Sequence, residues 1–336
     1  MLSVNTGLAE SSQTHRPTHM QVQVQPSMNR RYHDDTHRPT HMQVQVQVPG
    51  YYRMKLAELE VTALYDGYTM IDRNLLKGAS EKDIQSLLAR MFISDKNGIQ
   101  TAVNAYLINT GNHLVLIDTG TAQCFGPTLG NIVANIEAAG YRPEQIDTVL
   151  LTHLHPDHAC GLLKYDGSMA FPNAMLKVAQ AEAEYWLSEA TATQAPAEAQ
   201  GVFKMARDAV APYIAANRYS TYGSEETLLP GMKTIASHGH TPGHVSYLFE
   251  SQEGSLLVWG DIVHNHAVQL PYPDVSIEYD SDQPQAIATR KRLLADAAES
   301  KLWIAGAHLP FPGLGHIHKE AEGYRWVPLE YAPVTD

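Results

Sequence analysis

The stretch "LLTHLHPDHACGLL" (residues 150–163) places His153, His155, Asp157 and His158 within six positions, directly behind the apolar run of "IDTVLL" (146–151). Along an extended strand, side chains at i and i+2 point the same way. The rings of His153 and His155 therefore leave the strand end on one side, and Asp157 and His158 face a second position as the chain turns. Imidazole and carboxylate are ligands that zinc and similar metals accept. A lone histidine is more often a hydrogen-bonded or surface residue. The pattern H-x-H-x-D-H behind an apolar strand points to metal instead.

Three further places put a polar ligand type after an apolar strand. "SHGHTPGH" (237–244) offers His238, His240 and His244; "WGD" (259–261) offers Asp261; "AGAHLPFPG" (305–313) offers His308. Strand ends of this kind gather side chains from distant sequence onto one rim. A carboxylate at Asp261 can bridge two cations held about 3.5–4 Å apart.

The rest of the chain frames these segments. At 336 residues it is long enough to bury a sizeable core. A formal charge of −12 argues against nucleic acid or an anionic membrane as partner. No stretch of about 18 apolar residues suggests a membrane span. Cys124 and Cys160 are the only cysteines; so sparse a pair gives no disulfide framework, and Cys160 reads as a small buried residue on the turn. Residues 1–48 differ from the remainder, because "THRPTHMQVQVQ" occurs at 14–25 and again at 36–47. This polar leader has little to bury and is expected to be disordered. It shows no signal-peptide pattern, which makes the cytoplasm the default location.

From residue 49 onward a single domain is expected. Met54–Leu64 alternates apolar and polar residues as a half-buried strand does. Val103–Ile108 and Leu114–Ile117 flank the hairpin signal "NTGN". Pro127 and Gly140 bracket a helix, 179–217 holds two helical stretches broken near Pro196, and Pro284–Ser300 reads as a helix. Lys233–Ser237, Val245–Glu250, Ser255–Trp259 and Leu302–Ala305 read as strands. Strands and helices mix without strict alternation, so the expected architecture is α/β of the α+β kind, with sheets packed on each other and helices outside.

H-x-H-x-D-H followed by H-T-P-G-H, a G-D and a late histidine resembles the metallo-β-lactamase superfamily. Further segments, among them "YLINTG", "DTGTAQCFGPTLGNI", "ASHGHTPGH" and "AHLPFPGLGHI", look like the methyl parathion hydrolase family and its lactonase and aryl-esterase relatives, over essentially all of 49–336. The resemblance implies an αββα sandwich with two mixed sheets and a two-metal site at the strand ends. It implies that His153, His155 and His240 hold one metal and that Asp157, His158 and His308 hold the other, with Asp261 between them. Asp118 in "LIDTG" then supports the metal loop, as does His244. The expected cofactors are two divalent ions per subunit, zinc before manganese, cobalt or iron. A homodimer is also implied, with Tyr51 and Tyr52 as a contact.

Two metals and a bridging hydroxide point to hydrolysis of an ester-like bond, with Asp157 to accept or shuttle a proton. Within the superfamily the alternatives fit less well. The flavodiiron oxidoreductases carry glutamate where His155 stands, and the true β-lactamases lack the bridging aspartate. A non-catalytic module stapled by metal is disfavoured because structural zinc sites close with four ligands. By the resemblance, Phe125, Trp186 and Phe203 form the aromatic lining of the substrate pocket, and Ile277 and Tyr279 make its wall bulky. His264 stands where the superfamily's lactonases have a substrate-binding tyrosine, so it is expected to donate a hydrogen bond to a substrate oxygen. A bulky wall with a donor suits the planar carbonyl of a lactone or aryl ester better than a phosphotriester. A dedicated organophosphorus hydrolase is the competing expectation.

Overall fold

A computed structural model of the protein describes residues 49–223 and 226–334; the duplicated leader, 1–48, lies outside the described residues. In chain order the strands are β1 (Tyr51–Leu56), β2 (Leu59–Ile71), β3 (Leu76–Lys77), β4 (Ile99–Asn109), β5 (Leu114–Ile117), β6 (Thr148–Leu150), β7 (Met175–Ala179) and β8 (Tyr219–Tyr222). They continue with β9 (Met232–Ala236), β10 (Val245–Ser251), β11 (Gly254–Val258), β12 (Ser276–Ile277), β13 (Trp303–Ala305), β14 (Leu314–Lys319) and β15 (Tyr324–Pro328). The α-helices are α1 (Glu81–Arg90), α2 (Ile132–Ala138), α3 (Pro156–Ala159), α4 (Gln180–Trp186), α5 (Glu189–Gln194), α6 (Gln200–Ala215), α7 (His266–Gln269) and α8 (Gln283–Glu299).

Two mixed sheets face each other, one ordered β1-β2-β4-β5-β6-β7-β8 and the other β15-β14-β13-β11-β10-β9. The two-residue period of a strand assigns the layers. On β4, Tyr106 and Ile108 join Val61, Val115, Tyr247, Phe249 and Val258 in the core between the sheets. Its intervening residues Ala105 and Leu107 face outward, against Ile132 and Ile136 of α2 and Phe203, Ala206 and Val210 of α6. On the opposite flank, Leu293, Leu294 and Ala297 of α8 cover Leu257 and Trp259. This is the αββα sandwich expected from the sequence.

Two local expectations need correction. Met54–Leu64 is not one strand but the turn of the antiparallel β1–β2 hairpin, with Leu56 opposite Leu59; alternation continues across a tight turn, so the period alone does not reveal the reversal. The helix sought between Pro127 and Gly140 occupies only Ile132–Ala138, because Thr128 pairs with the Tyr68 backbone and the Asp66 carboxylate accepts from the backbone N–H groups of Asn131 and Ile132 at the helix start. Tyr52, named with Tyr51 as a contact of the expected homodimer, is half-buried, its hydroxyl accepting from Ala332 N at 3.2 Å and its ring 6.1 Å from that of Tyr331; this leaves the dimer expectation where it was. Among the described residues no helix is long and apolar enough to cross a membrane.

Candidate metal centre

Parallel pairing of β5 with β6 and of β11 with β13 brings the carboxyl ends of these strands to one rim. His153, His155, Asp157 and His158 follow β6, His240 follows β9, Asp261 follows β11 and His308 follows β13. The switch from strand to helix after β6 is sharp. His155 is the extended N-cap of α3 and Pro156 its first residue, so Asp157 and His158 sit in the first helical turn. Proline is suited to that position because its fixed φ is helical and the N–H it lacks would go unused. Gly260, at φ +59°, precedes Asp261; a Cβ there would come within 2.6 Å of His244 Nε2, so the approach requires glycine.

The side chains form two clusters sharing Asp261: His153, His155, His240 and Asp261, and Asp157, His158, Asp261 and His308. In the first, His155 Nδ1 lies 3.1 Å from His153 Nε2 and 3.0 Å from His240 Nε2, and Asp261 Oδ2 is 3.2 Å from His240 Nε2. In the second, His158 Nε2 lies 3.2 Å from Asp157 Oδ2 and 3.1 Å from Asp261 Oδ1, and His308 Nε2 lies 3.1 Å from Asp261 Oδ2. His158 Nε2 and Asp261 Oδ1 are buried, and neither has a hydrogen-bond partner despite their proximity. Lone pairs brought together in this way, without hydrogen-bond geometry, fit divalent ions between them.

Charge supports the same fit. Burial pushes His153 far below the ordinary imidazole range and His155 down to about 3, so both rings are neutral and present lone pairs. Burial opposes charge on His240 and His308 too, but the carboxylates of Asp261 and Asp280, and of Asp261 and Asp157, raise them to about 9 and about 10. A buried pair of carboxylates demands positive charge nearby, and metal ions would take the place of those protons.

An outer layer of hydrogen bonds orients the ligands, as metal-binding histidines require. Asp118, at φ +61°, accepts from Thr152 N at 2.8 Å and Thr152 Oγ1 at 2.9 Å and lies 2.8 Å from His158 Nδ1. His244 Nε2 accepts from the backbone N–H of Asp261 at 3.0 Å. His308 Nδ1 lies 2.8 Å from the Ala102 carbonyl. The sequence reading missed Asp280, whose Oδ1 is 2.7 Å from His240 Nδ1, and Glu182. Neither belongs to a recognisable motif.

The residues expected to line the substrate pocket are scattered. A cavity of about 610 Å³ opens beside His264 and His308, bordered by Tyr65, Met70, Ile93, Gln100 and Phe311. Phe125, Trp186, Phe203, Ile277 and Tyr279 are not among its lining residues. Phe203 is 1% exposed and packs behind Trp186, ring centroids 4.6 Å apart and tilted by 45°, because 203, 206, 210 and 213 lie on the buried face of α6. Trp186 presents its edge to His155 at 5.3 Å. Ile277 is core, packed with Ile84 and Val268. Tyr279 is half-buried; burial first, and then the Asp157 charge, push its hydroxyl up to about 12. His264 Nε2 lies 3.1 Å from Asp261 Oδ2, and its ring stacks on His308 at 5.2 Å.

The expectation that the two cysteines form no disulfide fails, although Cys160 is buried on the turn as expected. Cys160 is joined to Cys124 by a disulfide. The bond ties the loop carrying Phe125 to the turn behind His158.

An αββα sandwich with paired His/Asp clusters at its strand ends defines a class, and residues 98–308 match the family model of the metallo-beta-lactamase superfamily. The chain belongs to that superfamily. It is similar to the crystal structure of AbOPH, a hydrolase of the beta-lactamase superfamily, at 42% identity and a TM-score of 0.83, over 86% of this chain and all of that one. It is also similar to AidC, a dizinc quorum-quenching lactonase solved with a product bound, at 26% identity and a TM-score of 0.77, over 84% and 99% of the two chains. An N-acyl homoserine lactonase of Bacillus cereus is 25% identical over 181 residues, covering 48% of this chain. The chain spans just under two thirds of that lactonase, 64%.

Proposed function

We propose that the protein is a dinuclear metal-dependent hydrolase of lactones and aryl esters, with phosphotriester hydrolysis as a weaker activity. The observation that carries this reading is the convergence of seven ligand-type side chains, two of their buried atoms lacking any hydrogen-bond partner. The similarity to lactonases supports the substrate class. Two ions bound there would supply water ionised near neutral pH and an electrophile for the carbonyl oxygen.

This chain's own residues then divide the remaining work. Burial opposes ionisation of Asp157, but His158 and His308 hold its carboxyl well below the usual range. It therefore stays ionised, takes up the proton shed during attack and returns it to the leaving oxygen. Asp261 spans the two clusters, and His264 holds its Oδ2, the oxygen that also faces His240 and His308. The cavity beside His308 and His264 receives the substrate's substituent, with Met70, Ile93 and Phe311 as its apolar wall.

The test compares kcat/KM on an aryl lactone, an aryl ester and a dialkyl aryl phosphotriester. The lactone should be turned over best. A phosphotriester turned over best would identify a dedicated organophosphorus hydrolase instead, and turnover unaffected by chelation would refute the metal mechanism.

A further inference from the structure

Glu182 lies in the first turn of α4, fully buried, and belongs to neither ligand cluster. Its Oε1 accepts from Leu154 N at 2.9 Å. Its Oε2 accepts from Thr241 Oγ1 at 2.8 Å and from Gly243 N at 2.9 Å. Leu154 stands between His153 and His155, and Thr241 directly follows His240. One carboxylate therefore clasps the two loops that carry all three histidines of the first cluster. The fit is close: a Cβ on Gly243 would fall 2.1 Å from Glu182 N, so the 240–244 loop rests on the start of α4.

The second cluster is braced by other groups. His158 leans on Asp118, and His308 leans on the Ala102 carbonyl. Nothing on Glu182 reaches either residue.

We infer that Glu182 is a positioning residue for the first cluster alone, setting the gap between the 153–155 loop and the 240 loop. The inference rests on the two-ion reading above. A purely structural role, in which Glu182 only satisfies three buried donors, would affect folding stability without separating the two clusters.

The test is Glu182→Gln in the full chain, loaded with zinc and titrated against a chromophoric chelator, with circular dichroism to show the fold is kept. Glutamine preserves the shape but replaces one acceptor oxygen by a donor facing donors. One ion should bind 10- to 100-fold more weakly, the range for losing an outer ligand-orienting group, while the other keeps its wild-type affinity. In a His240→Ala background, which already disables the first cluster, Glu182→Gln should leave the remaining ion unchanged. Thr241→Val, which keeps the carboxylate and removes one of its three bonds, should weaken the same ion by less, and it decides the matter if the glutamine variant does not fold. Equal weakening of both ions, or of neither, overturns the inference. Wild-type protein that binds fewer than two ions would overturn the two-ion reading and the inference with it.

Discussion

Replacing His264 by leucine should cost lactone and phosphotriester hydrolysis alike. The ring is 6% exposed, and burial lowers its pKa to about 4, against the pull of Asp261, so it is neutral near pH 7. A neutral imidazole has one N–H and one lone pair. If Nε2 carries the proton, it donates to Asp261 Oδ2 at 3.1 Å, and buried Nδ1, which has no partner, is left as an acceptor. A ring arranged so has no proton to offer a substrate oxygen. Its effect runs through the carboxylate shared by both clusters, so leucine should lower activity by about 10- to 100-fold, the range for outer-layer partners of metal ligands. That corresponds to about 1.4–2.7 kcal/mol at 1.36 kcal/mol per decade. The assay is kcat/KM on an aryl lactone and a dialkyl aryl phosphotriester, with metal content measured on the same samples. A donor to the developing oxyanion predicts a different result: a loss of 10²–10³ confined to the lactone, with both metals retained. That outcome would refute the orienting role.

The remaining predictions concern metal, cavity and cross-link. Protein purified without chelator should carry close to two divalent ions per subunit by elemental analysis, lose activity on chelation and regain it with zinc; no more than one ion after supplementation contradicts the paired clusters. Gln100→Trp, which fills the cavity from the exposed side of β4, should reduce kcat/KM by at least about tenfold for lactones bearing a long substituent and spare unsubstituted ones. Equal effects on both would show that the substituent lies elsewhere. Protein isolated and denatured without reductant should show no free thiol, and Cys124→Ser should destabilise it by up to about 4 kcal/mol, the chain-entropy value for a loop of 36 residues. Unchanged denaturant unfolding would mean the cross-link constrains nothing.

Legibility in the sequence followed the range of the interaction. The candidate ligand segments could be read because metal binding concentrates scarce residue types within a few positions of one another at the ends of apolar strands, but the choice of His240 over His238 and His244 rested on the family resemblance and not on spacing. The two sheets and outer helices could be read because period and turn chemistry are local. The hairpin turn at Ala57–Glu58 was lost because alternation ran through it unbroken, although Ala57 has a φ of +52°, unusual for a residue with a side chain.

What could not be read depends on juxtaposition. Glu182 clasps residues 28 and 59 positions away, Asp280 meets His240 across 40, and Cys124 reaches Cys160 across 36. Glu182 and Asp280 are common residue types in ordinary segments until the fold closes around them, and two cysteines 36 positions apart carry no sign of their pairing. The aromatic residues show the converse. Trp186 and Phe203 carry the size and chemistry of a substrate wall; α6 buries Phe203 in the core behind Trp186, while α4 sets Trp186 itself against His155. The cavity beside His264 and His308 is lined by residues of β2, β4, the 91–98 loop and the 264–266 and 308–311 segments, and Met70 and Gln100 face each other across the β2–β4 ladder. The clusters are built by loops whose ligand spacing is written in the chain. The cavity beside them is lined partly by the loop that carries His308 and partly by β2, β4 and the 91–98 loop, which carry no ligand; on the proposed reading, substitution at Met70, Ile93 or Gln100 should alter substrate choice while the metal-binding residues stay as they are.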